Sequence, residues 1–227
     1  MPRRGHQVGR RKPSRTVIPY AGRDGYRMEV PVYRCGGQVV DCESLLEGDF
    51  VTIVDAYDRD LVEIQEQPFP LKAWCGGRYR KWTPDFLLRR DGHRPELVEV
   101  KTLEALYPED EENAAERAVW VAAIEDAAAK DGFDFSLQTE DEIRIQPLLW
   151  NAKLLGRYAD DLYPNAVVRR GREALLSMPA GGTVDAFQDL VGGEVDAFAL
   201  AIRLDWLGHV ELDRTARFSR HSRMHRL

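Results

Sequence analysis

The 227 residues, 44% hydrophobic and 31% charged, have an ordinary globular composition, enough for one large domain or two modest ones. No run approaches the ~18 apolar residues of a membrane span, and the opening MPRRGHQVGRRKPSR lacks a signal-peptide core, so a cytoplasmic protein is expected. The net charge of −6 is unevenly spread: residues 1–34 hold nine Arg/Lys against Asp24 and Glu29, residues 214–227 hold five arginines and no acid, and the body between is strongly acidic.

Basic ends on an acidic body can still track phosphates, because steering follows the local field rather than the total charge. The alternative is a pair of solvated tails. The first 30 residues have little periodicity and much Arg, Gly and Pro, which reads as a basic flexible arm whose DNA-binding candidates are Arg10, Arg11, Lys12 and Arg15. VPVYRCGGQVVDC then predicts a hairpin across Gly36-Gly37. Its successor, ESLLEGDFVTIVDAY, has near-helical apolar spacing, weakened at Gly48, with Glu43 and Glu47 four apart. LVEIQEQPFPL is extended, since Pro68 and Pro70 exclude a central helix.

AWCGGRYRKW turns at Gly76-Gly77 and is expected to run into a strand containing TPDFLL; Asp91-Gly92 then turns the chain into the strand LVEVK. DEENAAERAVWVAAIEDAAAKDG is the clearest helix, acidic at its start and stopped by Gly132, and FDFSLQ is one more strand. Beyond Ile145 the pattern becomes helical, ending in helix, Gly-Gly turn, helix and a short β segment after Gly208. Three compact helices and a β wing are compatible with a winged-helix module; a generic helical cap is the alternative. The three cysteines form no CxxC pair, which argues against a disulfide framework or a structural zinc site.

The chemistry concentrates in one predicted hairpin. Glu99 and Lys101 stand two apart in a strand and project from one face, and the antiparallel neighbour brings Asp85 beside them. Glu47, on the preceding helix, can supply a further acid. Converging carboxylates repel unless a cation neutralises them, and an oxygen-only set favours a hard ion such as Mg²⁺. Such an ion lowers the pKa of a bound water and polarises a phosphodiester. The Lys101 ammonium suits orienting the attacking water and offsetting charge on the phosphorane.

Asp…(E)xK in adjacent strands is short and recurs by chance. Here Pro84 precedes Asp85, apolar runs flank both acids, an acid-bearing helix lies upstream and an amphipathic helix downstream. TPDF and VEVK thus resemble the PD-(D/E)xK pattern of the restriction-endonuclease-like superfamily. With ESLLEGDF, the EQP-bearing strand and YRKWTPDFLL added, residues 40–140 resemble the TnsA-type endonuclease subunit of heteromeric transposases.

The resemblance implies an α/β fold: a restriction-endonuclease-like mixed sheet flanked by helices, followed by a smaller C-terminal helical, winged-helix-like domain. The expected boundaries are an arm over 1–30, the endonuclease domain over 31–145, a partner- or DNA-binding domain over 146–213 and a basic tail over 214–227. It implies catalytic roles for Glu47, Asp85, Glu99 and Lys101, with Glu47, Asp85 and Glu99 holding Mg²⁺, for which Mn²⁺ can substitute. Glu43 is the alternative to Glu47, and position 99 can be Gln in the family. Further implications are double-stranded transposon-end DNA as substrate, nicked on the non-transferred strand at the 5′ side, and two partners, a TnsB-like DDE transposase and a TnsC-like AAA+ ATPase. Competing readings are a stand-alone restriction-like, repair or phage nuclease, and a non-catalytic winged-helix assembly subunit. Glu63 and Glu66 read as solvent-facing or structural strand acids, and Trp74, Trp82 and Trp120 as packing residues rather than base-stacking ones.

Overall fold

The computed structural model describes residues 27–160 and 163–227. Arg10, Arg11, Lys12 and Arg15 of the expected arm lie outside the described residues. Among the described residues no helix is long and apolar enough to cross a membrane.

Strands β1 (Met28–Val32) and β2 (Gln38–Cys42) form the expected antiparallel hairpin. A 3-10 turn over Tyr33–Cys35 closes it, followed by Gly36 and Gly37 at φ 74° and 79°, where a side chain would be strained. Helix α1 (Leu45–Tyr57) starts at Ser44, whose hydroxyl accepts the Glu47 N–H. Gly48, a poor helix former, serves packing: a Cβ there would meet the Met28 sulfur at 2.6 Å.

The body of the fold is built from β3 (Leu61–Glu66), β4 (Leu71–Cys75), β5 (Arg78–Trp82), β6 (Phe86–Arg90), β7 (Glu96–Val100), short helix α2 (Leu103–Leu106), helix α3 (Glu111–Lys130) and β8 (Asp134–Gln138). The central mixed sheet has the order β3-β6-β7-β8. Its first two pairings are antiparallel, and β7–β8 is parallel, a connection that needs a long crossover, here supplied by α3. Alternation along β6 divides the core: Phe86 and Leu88 face α1, and Leu87 faces α3.

One strand expectation is corrected. β5 does not run on through TPDF; it ends at Trp82 and pairs with β4 in a separate two-stranded sheet. Pro84 has no N–H to donate to a ladder, and β6 begins only after Asp85.

The C-terminal region comprises α4 (Glu140–Ile143), α5 (Leu148–Arg157), α6 (Asn165–Ser177), α7 (Val184–Val191), α8 (Ala197–Trp206), β9 (Val210–Leu212) and β10 (Met224–Arg226). β9 and β10 pair antiparallel, and Thr183 bridges to Arg223 just ahead of α7. The order helix, bridge, two helices, two-stranded wing is winged-helix-like. Residues 214–227, expected as a basic tail, are corrected: they fold back to complete this wing. Their few apolar side chains suffice, because Phe218 and Met224 bury. The fully buried Asn151 fixes the return, accepting from the Phe218 N–H (3.0 Å) and donating to the Ala216 carbonyl (2.9 Å).

Helix α8 is buried on nearly every side, its two charged residues Arg203 and Asp205 included. It is covered in part by the sheet-bearing half of the chain. The Arg34 guanidinium lies 4.3 Å from the centre of the Trp206 ring, and Arg59 reaches Asp205 at 3.4 Å. Ala56, Ile53 and Tyr57 of α1 join the same apolar cluster as α5 to α8, so the two halves share one core.

Candidate active site

Three of the four expected site residues meet at one end of the central sheet. The β6–β7 register pairs Phe86 with Val98 and Leu87 with Leu97. Continued by one residue, it sets Asp85 opposite Glu99, so both point to the face that carries Leu87 and Leu97 and packs against α3. Lys101, two residues past Glu99, shares that face, and its N–H prolongs the parallel ladder by donating to the Gln138 carbonyl at 3.0 Å. Asp85, expected inside a strand, lies in the bend just before β6. Its carbonyl accepts the Gln67 N–H at 2.8 Å, which ties the bend to the end of β3. Gln67 itself sits at φ 42°, a left-handed conformation rare outside glycine.

The side chains form a compact ionic cluster. Lys101 Nζ lies 2.9 Å from Glu99 Oε1 and 3.2 Å from Asp85 Oδ2. Asp85 Oδ2 also accepts the Val100 N–H at 2.8 Å, so backbone geometry fixes its carboxylate. Glu99 is buried, and its second oxygen accepts the indole N–H of Trp82 at 2.9 Å. Burial and the Asp85 charge raise the Glu99 pKa, while Lys101 and the Trp82 hydrogen bond pull it down. For Lys101, burial favours the neutral amine, but Asp85 and Glu99 outweigh it and push the pKa up to about 12. At neutral pH the group is a fixed ammonium, a donor and not a base.

Glu47 approaches from the other face of the sheet, in the first turn of α1. Its Oε2 accepts the Glu43 N–H at 2.7 Å, its Oε1 accepts the Ser44 hydroxyl at 3.1 Å, and its own N–H is capped by Ser44. This resembles a capping box, a local signal that Ser44-Leu-Leu-Glu47 already spells in the sequence. Burial first, then the Asp85 charge, push the Glu47 carboxyl up to about 7, against the pull of its two hydrogen bonds. Glu43, the alternative acid, precedes the helix and lends Glu47 its N–H rather than standing beside it on a helical face.

Among the described residues no three His, Cys, Asp or Glu side chains stand together as a ready-made metal cage. The donor set nonetheless fits a hard cation. The Asp85 charge raises the cost of ionising Glu47, and each carboxylate oxygen that accepts one hydrogen bond keeps a second lone pair.

Sequence reasoning missed the Trp82 contact, because a tryptophan in a strand before a turn is most often packing. Its signal was position: Trp82 pairs with Leu71 at the end of a hairpin that delivers the chain directly to Asp85. Glu66, expected to face solvent or make a structural contact, is 3% exposed and pairs in register with Phe86, next to the Asp85 bend. Glu63 has a structural partner, Arg89 at 3.1 Å. Trp120 is partly buried against the α3-side core, as expected of packing, whereas Trp74 is 53% exposed.

No curated protein matches the chain. Residues 58–140, from the end of α1 through β8, match the family described as TnsA-like endonuclease N terminal. The matched segment contains the whole central sheet with Asp85, Glu99 and Lys101, while Glu47 lies before it. The chain therefore carries a TnsA-like endonuclease domain over residues 58–140, a match that supports a TnsA-type endonuclease and fits the restriction-endonuclease-like superfamily.

Proposed function

We propose that this protein is the metal-dependent DNA endonuclease subunit of a cut-and-paste transposase, hydrolysing the non-transferred strand at the 5′ side of each transposon end. The observation that carries the reading is the Asp85–Glu99–Lys101 cluster, lying within the matched endonuclease segment and electrostatically coupled through Asp85 to Glu47.

In this reading Glu47, Asp85 and Glu99 hold Mg²⁺, with Mn²⁺ able to substitute. The ion, when bound, supplies Lewis-acid polarisation of the scissile phosphate and a more acidic water. The chain's residues do the positioning. Val100 N–H and Lys101 orient the Asp85 carboxylate, and Trp82 and Lys101 orient that of Glu99. The Lys101 ammonium donates to the attacking water and balances charge that accumulates on the phosphoryl oxygens. Ser44 and the Glu43 N–H hold Glu47 at the mouth of the site.

A TnsB-like DDE transposase would process the 3′ ends, and a TnsC-like AAA+ ATPase would couple the pair to a target. The C-terminal region, 146–227 once its wing is included, is assigned to partner or DNA contact. α8 is sealed inside the protein, so such contact would use the wing, α6 or α7 instead of α8 in a DNA groove.

The test is strand-specific cleavage of end-labelled transposon-end duplex, with and without the cognate transposase. Nicking confined to the 5′ side and dependent on the mixture is expected. Equal cleavage of any duplex by the isolated chain would support a stand-alone nuclease and sink the transposon assignment. No divalent-ion-dependent cleavage under either condition would remove the catalytic reading.

A further inference from the structure

The β4–β5 hairpin breaks two rules that stable surface sheets usually keep. Its register sets Lys72 directly opposite Lys81, and Trp74 directly opposite Tyr79. Like charges facing across a pair of strands destabilise it. The two rings are 53% and 68% exposed, and they touch edge to face with centroids 4.9 Å apart. Lys72, Trp74, Tyr79 and Lys81 share the outward face, while Leu71, Ala73 and Cys75 bury the inner one. Arg78 and Arg80 add two more exposed cations. The strands carry four cations and no acid, and among the described residues none of the four forms an ion pair. A protein whose central body is acidic has concentrated uncompensated positive charge and exposed aromatic surface on one short hairpin.

That hairpin is mechanically joined to the candidate active site. It packs on the sheet face that carries Asp85, Glu99 and Lys101, and its last residue, Trp82, donates to Glu99. A groove of about 540 Å³ runs from Arg80 and Lys81 past Arg117 and Trp120 to Glu104 on α2, the helix that begins two residues after Lys101.

We propose that the outer face of the β4–β5 hairpin is a DNA-contacting element of the nuclease: Lys72 and Lys81 hold phosphates flanking the scissile one, and Trp74 with Tyr79 stacks against an unpaired or distorted nucleotide beside the cut. This rests on the DNA-cleaving reading above. The occupant is nucleic acid because the surface combines unpaired cations with exposed π-faces, the pairing that a polyanion of stacked bases satisfies. An acidic protein surface would satisfy the cations and leave the rings without a reason to be exposed.

The experiment measures binding of a duplex with a single-stranded flap by the full chain between 50 and 200 mM salt, in calcium so that no cleavage occurs. Lys72→Gln with Lys81→Gln is expected to make the slope of log affinity against log salt shallower by about 1.4–1.8, because each lysine neutralises one phosphate. Trp74→Ala with Tyr79→Ala is expected to weaken flap binding by about 5- to 100-fold while leaving the salt slope unchanged. All four side chains are exposed, so melting temperatures matching the parent will show that the variants fold. Parent binding with unaltered slope and affinity in both variants overturns the hairpin assignment and leaves the nuclease reading standing. Loss of transposase association with DNA binding intact also overturns it, in favour of a protein interface. If the parent binds neither duplex nor flap, the hairpin assignment and the nuclease reading fall together.

Discussion

Replacing Glu47 with glutamine should stabilise the protein at high pH and not at low pH. The Glu47 carboxyl sits at about 7 in the folded chain against an ordinary 4.5, because it is buried and faces the Asp85 charge. Below pH 4.5 it is protonated in both folded and unfolded chains, and there is no penalty. Between 4.5 and 7 the unfolded chain gives up the proton while the folded chain keeps it, so stability falls as pH rises through that window. Above 7 the full penalty applies, about 3 kcal/mol. Glutamine does not titrate, but it can accept only one of the two hydrogen bonds from Glu43 N–H and the Ser44 hydroxyl, a loss of about 1 kcal/mol. The net expectation at pH 8 is a gain of about 2 kcal/mol, or a melting temperature higher by about 4–8 °C for a chain of this size. At pH 4.5 only the hydrogen-bond loss remains, and the variant should melt slightly below the parent. Calorimetry in EDTA at the two pH values measures both. Adding Mg²⁺ at pH 8 should narrow the gap, since the cation relieves in the parent a repulsion that the neutral amide of the variant does not feel. A melting difference that is the same at both pH values would refute the electrostatic account of this site.

Asp85→Ala and Lys101→Ala are each expected to abolish Mg²⁺-dependent nicking with the circular dichroism spectrum retained; residual cleavage near the parent rate in either would remove that residue from the catalytic set. Trp82→Phe keeps the ring in its core and deletes the bond to Glu99, so single-turnover nicking should fall by roughly tenfold or more while folding stability drops by about 1–2 kcal/mol; an unchanged rate would make that contact structural only. Asp205→Ala strips a buried carboxylate from the Leu212 N–H, Arg214 and Arg59, and should cost about 3–5 kcal/mol in urea unfolding, with both halves of the chain losing structure in one transition; two separated transitions would show that the halves fold independently.

Much of the nuclease half was legible because local rules and global fold agree there. Gly36-Gly37 and Asp91-Gly92 announce their turns, Asp110 and Gly132 bracket α3, and alternation in FLLRR and ELVEV fixes which residues face which helix. The i, i+2 spacing of Glu99 and Lys101, and the antiparallel neighbour that carries Asp85, follow from strand geometry alone. What escaped was set by tertiary contact. Pro84 marks an interruption, but a proline alone does not tell a strand that bulges and continues from one that stops at Trp82 and starts again after Asp85. The arginine-rich end looked like a tail because its apolar residues, Phe218 and Met224, are too sparse for periodicity, yet each fills a hole prepared by distant helices. The sequence pattern also left Trp74 looking like packing, since its exposure depends on β4 and β5 forming a sheet of their own.

The burial of α8 against α1 and the first hairpin bears on how a cut would be placed. Trp206 under Arg34, Asp205 gripping Arg59, and Tyr57 donating to the Leu148 carbonyl leave no slack between the two halves. Asp49 adds a fourth strut, holding Lys153 at 2.7 Å and Arg144 at 2.9 Å from the helix that also carries Glu47. Whatever grips the C-terminal half therefore grips the cluster around Lys101 at a set span and angle, as the fixed jaw of a caliper does. Distance along the DNA would then be measured by protein geometry rather than by the reach of a tether, and loosening any of these struts should blur the position of the nick before it slows the chemistry.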